Sequence, residues 1–390
     1  MILSENMPNA SPISGIYIIM MDEISYWMTS TMKNKPNYDC FHGGIYSVNP
    51  ALVQLDFSSN VNPLGISKDL LNEVSRELDS LCTTYPDQSC RELKKGILDY
   101  LGLELDPKWL LVGNGATELI HIFARTFIRG KVVISAPTFC EYELSARRLG
   151  ATIKFVPLKN WEHDPEIILK ESKEGCDAVF LCNPNNPTGI LSTESARKII
   201  ENIDPHTQMF LDECFIELVQ GSGKKNNSMI ELVSEYKNLV ILRSMTKSFS
   251  LAGIRLGYCV CNPNLINLML DNMISWNVNG VAQKIGMLVL KDKSYLENSR
   301  RLIRRERNFM VKELKKKTKF SPMSSDVNYF LIDVSDQSST EVRNYLLNNK
   351  GILVRDCSTF TGMGLKHIRV AVKKHTENAI LIDALSSMEP

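Results

Sequence analysis

Short apolar runs alternate with stretches of helical periodicity from about residue 105 onward, and this alternation leaves few folds open. "LLVGNG", "KVVISAP", "ATIKFVPL", "AVFLCNP", "QMFLDEC" and "LVILRSM" have the length and bounding turn signals of buried strands. Between them, "TELIHIFARTF" places Leu119, Ile122, Phe123, Thr126 and Phe127 on one helical face, and "YELSARRLG" predicts a helix closed by Gly150. Strands that are apolar on both faces belong to a mostly parallel sheet covered by helices on both sides, which is an α/β fold. From about residue 295 the pattern changes. "NSRRLIRRERNFMVKELKKKTKF" predicts a long basic amphipathic helix, followed by "VNYFLIDV", "GILVRDC", "HIRVAVK" and a final helix. This part reads as a smaller α+β domain.

Composition excludes several function classes. Lys+Arg 45 against Asp+Glu 44 gives a net charge of +1. Such a chain has no global field for nucleic acid or an anionic membrane, so neither is an expected partner. The charges of the basic helix are then a solvated face. The ten cysteines form no C-x-x-C pair, and Cys259 and Cys261 are not at a usual zinc spacing. The six histidines show no H-E-x-x-H pattern. No metal is expected, and the thiols are expected to be reduced, in a cytoplasmic protein. Residues 1–40 read as an N-terminal extension. Its apolar stretch "ISGIYIIMMDEISYWM" is broken by Asp22 and Glu23 and is too short to span a bilayer. It is either loose or an arm on a partner subunit.

Three polar motifs fall at the ends of predicted strands: "NPNNPTG", "DEC" and "SMTKS". Ligands of open α/β sheets bind at the carboxyl ends of strands, so residues distant in sequence can converge there. "VGNGATELI" adds a strand-to-helix turn, with free N–H groups at Ala116 and Thr117 that suit an anion. Glu118 stands where a dinucleotide fingerprint would carry its third glycine, which weakens that reading. A carboxylate at Asp212, at the end of an apolar strand, calls for a cation. Lys247 follows 35 residues later, with Ser244, Thr246 and Arg255 around it. A lysine desolvated beside cations has a lowered pKa and becomes a neutral nucleophile. A pyridinium nitrogen for the aspartate, an aldehyde for the lysine and a phosphate for the hydroxyls together describe pyridoxal 5'-phosphate.

In the order "NNPTG", "DECF", "SMTKSFSLAGIRLG", "IRVAV", the chain resembles the fold-type I pyridoxal-phosphate enzymes of the class I/II aminotransferase superfamily. The resemblance runs from about His42 to His375. It implies a seven-stranded-type, mostly parallel sheet flanked by helices. The implied division is an arm and part of the small domain at 41–80, a large cofactor domain at 81–290 and a small α+β domain at 291–390. Lys247 resembles the Schiff-base lysine, Asp212 the partner of the ring nitrogen and Asn186 the ligand of the phenolic oxygen. Phe139 is similar to the ring-stacking aromatic. Ala116, Thr117, Ser244, Thr246 and Arg255 resemble the phosphate cup. Tyr85 in "TTYPD" is similar to a tyrosine that reaches the phosphate from the other subunit of a homodimer with shared active sites. Arg369 resembles the arginine that forks onto the substrate carboxylate.

Two branches of the superfamily share these features, the threonine-phosphate decarboxylases and the histidinol-phosphate aminotransferases. "HGG" at 42–44, "LDFSSNVNPLG", "PTFCEYELSARRLG" and "RDCSTFTGMG" look more like the decarboxylases, which make the aminopropanol phosphate of cobalamin side chains. The aminotransferase branch often has a tyrosine where this chain has Phe215. Either branch takes a small phosphorylated substrate, with Arg355 meeting its phosphate and His42 and Asn60 as further substrate-binding residues. The resemblance thus implies a carboxy-lyase, with the aminotransferase as the alternative. A non-catalytic subunit on the same fold is the third reading, and the retained lysine, aspartate and phosphate-cup residues argue against it.

Overall fold

The computed structural model describes residues 40–173, 175–220, 227–334 and 336–388. The readings made for most of the N-terminal extension lie outside these residues. Seven strands form the principal sheet: β1 (Leu110–Gly113), β2 (Lys131–Ala136), β3 (Thr152–Pro157), β4 (Cys176–Cys182), β5 (Gln208–Asp212), β6 (Leu239–Ser244) and β7 (Gly257–Cys261). Their order is β1-β7-β6-β5-β4-β2-β3. Only β7 runs antiparallel to its neighbours, β1 and β6. The sheet is therefore mostly parallel, as the apolar runs predict. β7 is absent from the sequence reading, because "GYCVC" directly follows the polar motif and shows no strand boundary of its own.

Burial follows position in the sheet. β1, β5 and β6 are buried almost throughout, whereas β3, at the edge, alternates exposed and covered residues. Lys154 and the closing Pro157 mark that edge, where a strand must not invite further pairing. The helix Ala116–Phe127 covers one face, burying Leu119, Ile120, Ile122, Phe123 and Ala124. Thr126 and Phe127, expected on the buried face, are half covered, and Ile120 and Ala124 take their place. The buried stripe is thus rotated toward the helix start.

A second apolar core surrounds an antiparallel sheet of β8 (Ser321–Pro322), β9 (Tyr329–Asp333), β10 (Arg355–Asp356) and β11 (His367–Ala371), in the order β10-β11-β9-β8. The basic helix Tyr295–Lys317 buries Leu296, Ser299, Ile303, Glu306, Met310 and Leu314. These residues recur at intervals of three and four, which leaves the Lys/Arg face in water. The short strand Leu55–Asp56 pairs in parallel with Ile352–Leu353. That pairing ties the start of the described chain to the second core. Among the described residues no helix is long and apolar enough to cross a membrane.

Candidate active site

Parallel pairing of β5 and β6 sets Asp212 opposite Leu242, so both strands end on the same side of the sheet. The single helical turn Met245–Ser248 follows β6 and carries Lys247. Burial raises the pKa of Asp212, against hydrogen bonds that favour the carboxylate. Cys214 N–H donates to Oδ1 at 2.8 Å and the Tyr142 hydroxyl donates to Oδ2 at 2.6 Å. The sequence does not single out Tyr142. It lies three residues beyond Phe139, and only the fold brings it to β5. Burial, and then the nearby Arg369, push the Lys247 amine down to about 8. The direction is that expected for a desolvated lysine among cations.

The expected anion cup lies where β1 turns into the helix at Ala116. Gly115 has φ +82°, and a Cβ on it would lie 2.6 Å from Arg255 Nη2. Only glycine lets the guanidinium approach this helix start. Glu118 holds the turn in shape. Its Oε2 accepts from Asn114 N–H at 2.7 Å and from Asn277 Nδ2 at 2.6 Å.

Two arginines stand over the cavity from the small sheet. Arg355 on β10 is the register partner of Arg369 on β11. Like charges directly opposite on a sheet are destabilising, so the pair calls for anionic company. Both are buried, at 9% and 5% exposure. Arg369 donates to Asn186 Oδ1, and to the Ser58 carbonyl at 2.7 Å. Its Nε has no partner. Arg355 Nη2 donates to the Phe41 carbonyl at 2.6 Å and to Thr359 Oγ1 at 2.8 Å. Burial, then Arg369, lower the pKa of Arg355 to about 10. Phe215 packs edge-on against Tyr329, with centroids 4.9 Å apart, and has no hydroxyl to offer the cavity.

The mouth of the cavity comes from residues 40–62. His42 Nε2 lies 2.8 Å from Glu141 Oε1, and His121 Nε2 lies 2.8 Å from Oε2. Burial alone would raise the Glu141 pKa, but hydrogen bonds from both histidines hold it at about 2. Gly43 passes so close to the next segment that a Cβ would sit 2.6 Å from the Ser58 carbonyl oxygen. Asn62 N–H donates to the Lys247 carbonyl at 3.2 Å, and its amide donates to the Ser248 carbonyl and to Ser299 Oγ. Asn60 is buried, with Oδ1 unpartnered. One expectation is overturned here. Cys40 and Cys140 form a disulfide, so not all thiols are free. Composition could not show it, because the two are 100 residues apart and meet only when the mouth segment lies across the helix after Phe139.

All the expected site residues except Tyr85 line one cavity of about 380 Å³. Tyr85 lies elsewhere, 81% exposed and packed on Trp276. The donor set fits pyridoxal 5'-phosphate. A buried amine, a buried carboxylate and a helix start with hydroxyls and an arginine match its aldehyde, ring nitrogen and phosphate. The orphaned Arg369 Nε and Asn60 Oδ1 leave polar capacity for a further ligand.

The chain matches the family "Aminotransferase class I and II" over residues 53–385. It is 35% identical, over 85% of its length and 89% of the relative's, to a Caldanaerobacter subterraneus protein named "Putative threonine-phosphate decarboxylase". It is 32% identical, over 85% and 88%, to histidinol-phosphate aminotransferase 1 of Mannheimia succiniciproducens. Among solved structures it superposes on the Clostridium acetobutylicum histidinol-phosphate aminotransferase with a TM-score of 0.78. That pair shares 32% identity, over 85% of this chain and 98% of the other. The Porphyromonas gingivalis L-threonine-O-3-phosphate decarboxylase has the same fold, with a TM-score of 0.76 at 24% identity and coverage of 85% and 98%. The chain belongs to the class I and II aminotransferase family, whose enzymes depend on pyridoxal 5'-phosphate.

Proposed function

We propose that this chain decarboxylates L-threonine O-3-phosphate to an aminopropanol phosphate and carbon dioxide, the reaction that supplies cobalamin side chains. The carrying observation is the register pair Arg355–Arg369, two buried guanidiniums side by side over the cavity. A substrate with a carboxylate and a phosphate satisfies both at once. Histidinol phosphate brings a single anionic group.

In this reading Lys247 holds the cofactor's aldehyde carbon and Asp212 faces its ring nitrogen. Asn186 holds the phenolic oxygen, and Phe139 covers the ring. Ala116, Thr117, Ser244, Thr246 and Arg255 hold the phosphate. When bound, the cofactor supplies a sink for the electrons of a bond broken at the substrate's α-carbon. Arg369 fixes the substrate carboxylate, and Arg355, with His42 and Asn60, fixes its phosphate. Lys247 is also the group placed to exchange protons inside the cavity. We assign Tyr85 to the partner's site in a homodimer. Its exposure and its tilted ring contact with Trp276, near the exposed Ile274, support a covered face there.

The second reading, histidinol-phosphate aminotransferase, is favoured by relatives of that name at 30–32% identity. That branch keeps the carboxylate-binding arginine for glutamate, so Arg369 alone does not separate the two. Phe215, without a phenolic hydroxyl, favours decarboxylation. The test is a side-by-side assay of purified enzyme. Carbon dioxide and an amino-alcohol phosphate from phosphothreonine, with no 2-oxoglutarate, support the proposal. Consumption of histidinol phosphate that requires 2-oxoglutarate, with phosphothreonine inert, overturns it.

A further inference from the structure

We infer that Cys40 and Cys140 are a reversible thiol–disulfide pair that latches the His42 segment across the mouth of the cavity. The two Cα atoms are 5.6 Å apart, inside the window a disulfide requires. Both residues are only partly buried, so small thiols and disulfides can reach them, whereas Cys176, Cys182, Cys214, Cys259, Cys261 and Cys357 are buried. The position matters more than the bond. Cys140 directly follows Phe139, and Cys40 precedes His42 by two residues. The latch therefore joins two walls of the cavity.

Without the bond, the segment is held weakly. It has only a 3-10 turn at Ile45–Ser47, and no residue of that turn is buried. Its ties include the His42–Glu141 hydrogen bond, the tilted His42–Phe139 ring contact, Gly44 N–H to Ser58 Oγ at 2.7 Å and Arg355 to the Phe41 carbonyl. The His42 side chain is half exposed, where water screens such contacts. A segment held this way opens locally without unfolding the domain.

The chemistry balances with a low-molecular-weight disulfide such as oxidised glutathione as the oxidant. One cysteine thiolate attacks it and releases one small thiol. The second cysteine thiolate attacks the mixed disulfide and releases the other. The two cysteine protons end on the two released thiols, and two electrons pass from the pair to the oxidant. Excess small thiol reverses both steps. His42 Nε2 lies 3.6 Å from Cys40 Sγ, so the imidazole stands beside the reacting sulfur. In the reduced form the two sulfurs and His42 could also take a soft divalent cation, since their ligand atoms lie within 4.8 Å of one another. The bonded sulfurs favour the disulfide.

The test uses the full-length holoenzyme equilibrated in glutathione buffers from reducing to oxidising. Thiols are then capped with N-ethylmaleimide and the peptides mapped by mass spectrometry. The Cys40 and Cys140 peptides should be joined in oxidising buffer, separate in dithiothreitol and rejoin on reoxidation, while the other cysteines stay unlinked. Hydrogen exchange at the Gly44 and Ser47 amides should speed several-fold on reduction, with no change at residues 208–212. Cys40→Ser should show the fast exchange in every buffer. Absence of the joined peptide throughout, equal exchange in both states, or a stoichiometric bound zinc that shields both thiols would overturn the inference. Neither readout uses a substrate, so an error in the proposed reaction would leave the result intact.

Discussion

At the floor of the cavity, Asp212 and Ser244 close neighbouring strands of a seven-stranded sheet, and Lys247 sits one turn beyond. At the mouth, His42, Asn60 and Arg355 come from segments whose regular structure is a two-residue strand or a single 3-10 turn. The floor is positioned by buried backbone pairing, with the Tyr142 hydroxyl and the Cys214 N–H both donating to Asp212. The mouth is positioned by single contacts between segments with little regular structure, such as Gly44 with Ser58 and Phe41 with Arg355. Chemistry that must not move belongs on the first, and recognition that must admit and release a substrate belongs on the second. Substitutions at the floor should therefore lower turnover, and those at the mouth should raise KM.

The largest effect is expected at Lys247. Lys247→Ala should abolish the borohydride-reducible cofactor linkage and cut turnover by about 10³-fold or more. A linkage that persists in the variant would remove the lysine from its role. Asp212→Asn should follow, at roughly 10²–10³-fold in kcat, the range for losing a preorganised electrostatic partner. Tyr142→Phe removes the hydroxyl that donates to Asp212 Oδ2, and should shift the cofactor's absorbance as well as lower kcat. An unchanged spectrum in that variant would make Tyr142 a packing residue only.

The same contrast decides how much could be read from the sequence. The floor motifs are contiguous, "DEC" and "SMTKS", and each follows an apolar run whose strand character is plain. Local physics fixes their geometry, so Asp212, Lys247, Ser244 and Thr246 were legible. Tyr142 was not, because its partner lies 70 residues away and nothing in "CEYEL" marks its hydroxyl for a carboxylate. Glu141, bridging two histidines, was hidden for the same reason. The Cys40–Cys140 bond is the extreme case. β7 escaped because five buried residues cannot be told from the loop before them by periodicity.

Titration of Lys247 links the two regions, since Arg369 belongs to the small sheet. The folded value of about 8 lies below the ordinary 10.5. Between those values the unfolded chain binds a proton that the folded apoprotein lacks. This group therefore adds to apoprotein stability as pH rises through that window, and the gain is absent below about 8. Cofactor attachment to the apoprotein should rise with pH, with a midpoint near 8. Arg369→Gln removes a cation, so its midpoint should move upward. It should also cost about 1.5–3 kcal/mol of kcat/KM, as expected for a charged hydrogen-bonding partner. A midpoint that stays put would place the cause in burial alone.

The smallest effect, and the sharpest probe of the comparison, is expected from Gly43→Ala. The added Cβ would stand 2.6 Å from the Ser58 carbonyl oxygen and 3.0 Å from its carbonyl carbon. Both are backbone atoms, so neither can swing aside as a side chain could. The Ser58 carbonyl also accepts from Arg369 at 2.7 Å, which holds it in place. The displacement therefore falls on the chain carrying Gly43, and His42 moves away from Glu141. Since this segment is already half exposed, yielding costs little folding free energy, about 1 kcal/mol or less. KM for the phosphorylated substrate should rise several-fold, while kcat and cofactor retention stay near wild type. A fall in kcat with KM unchanged would mean that the mouth and the floor move as one body.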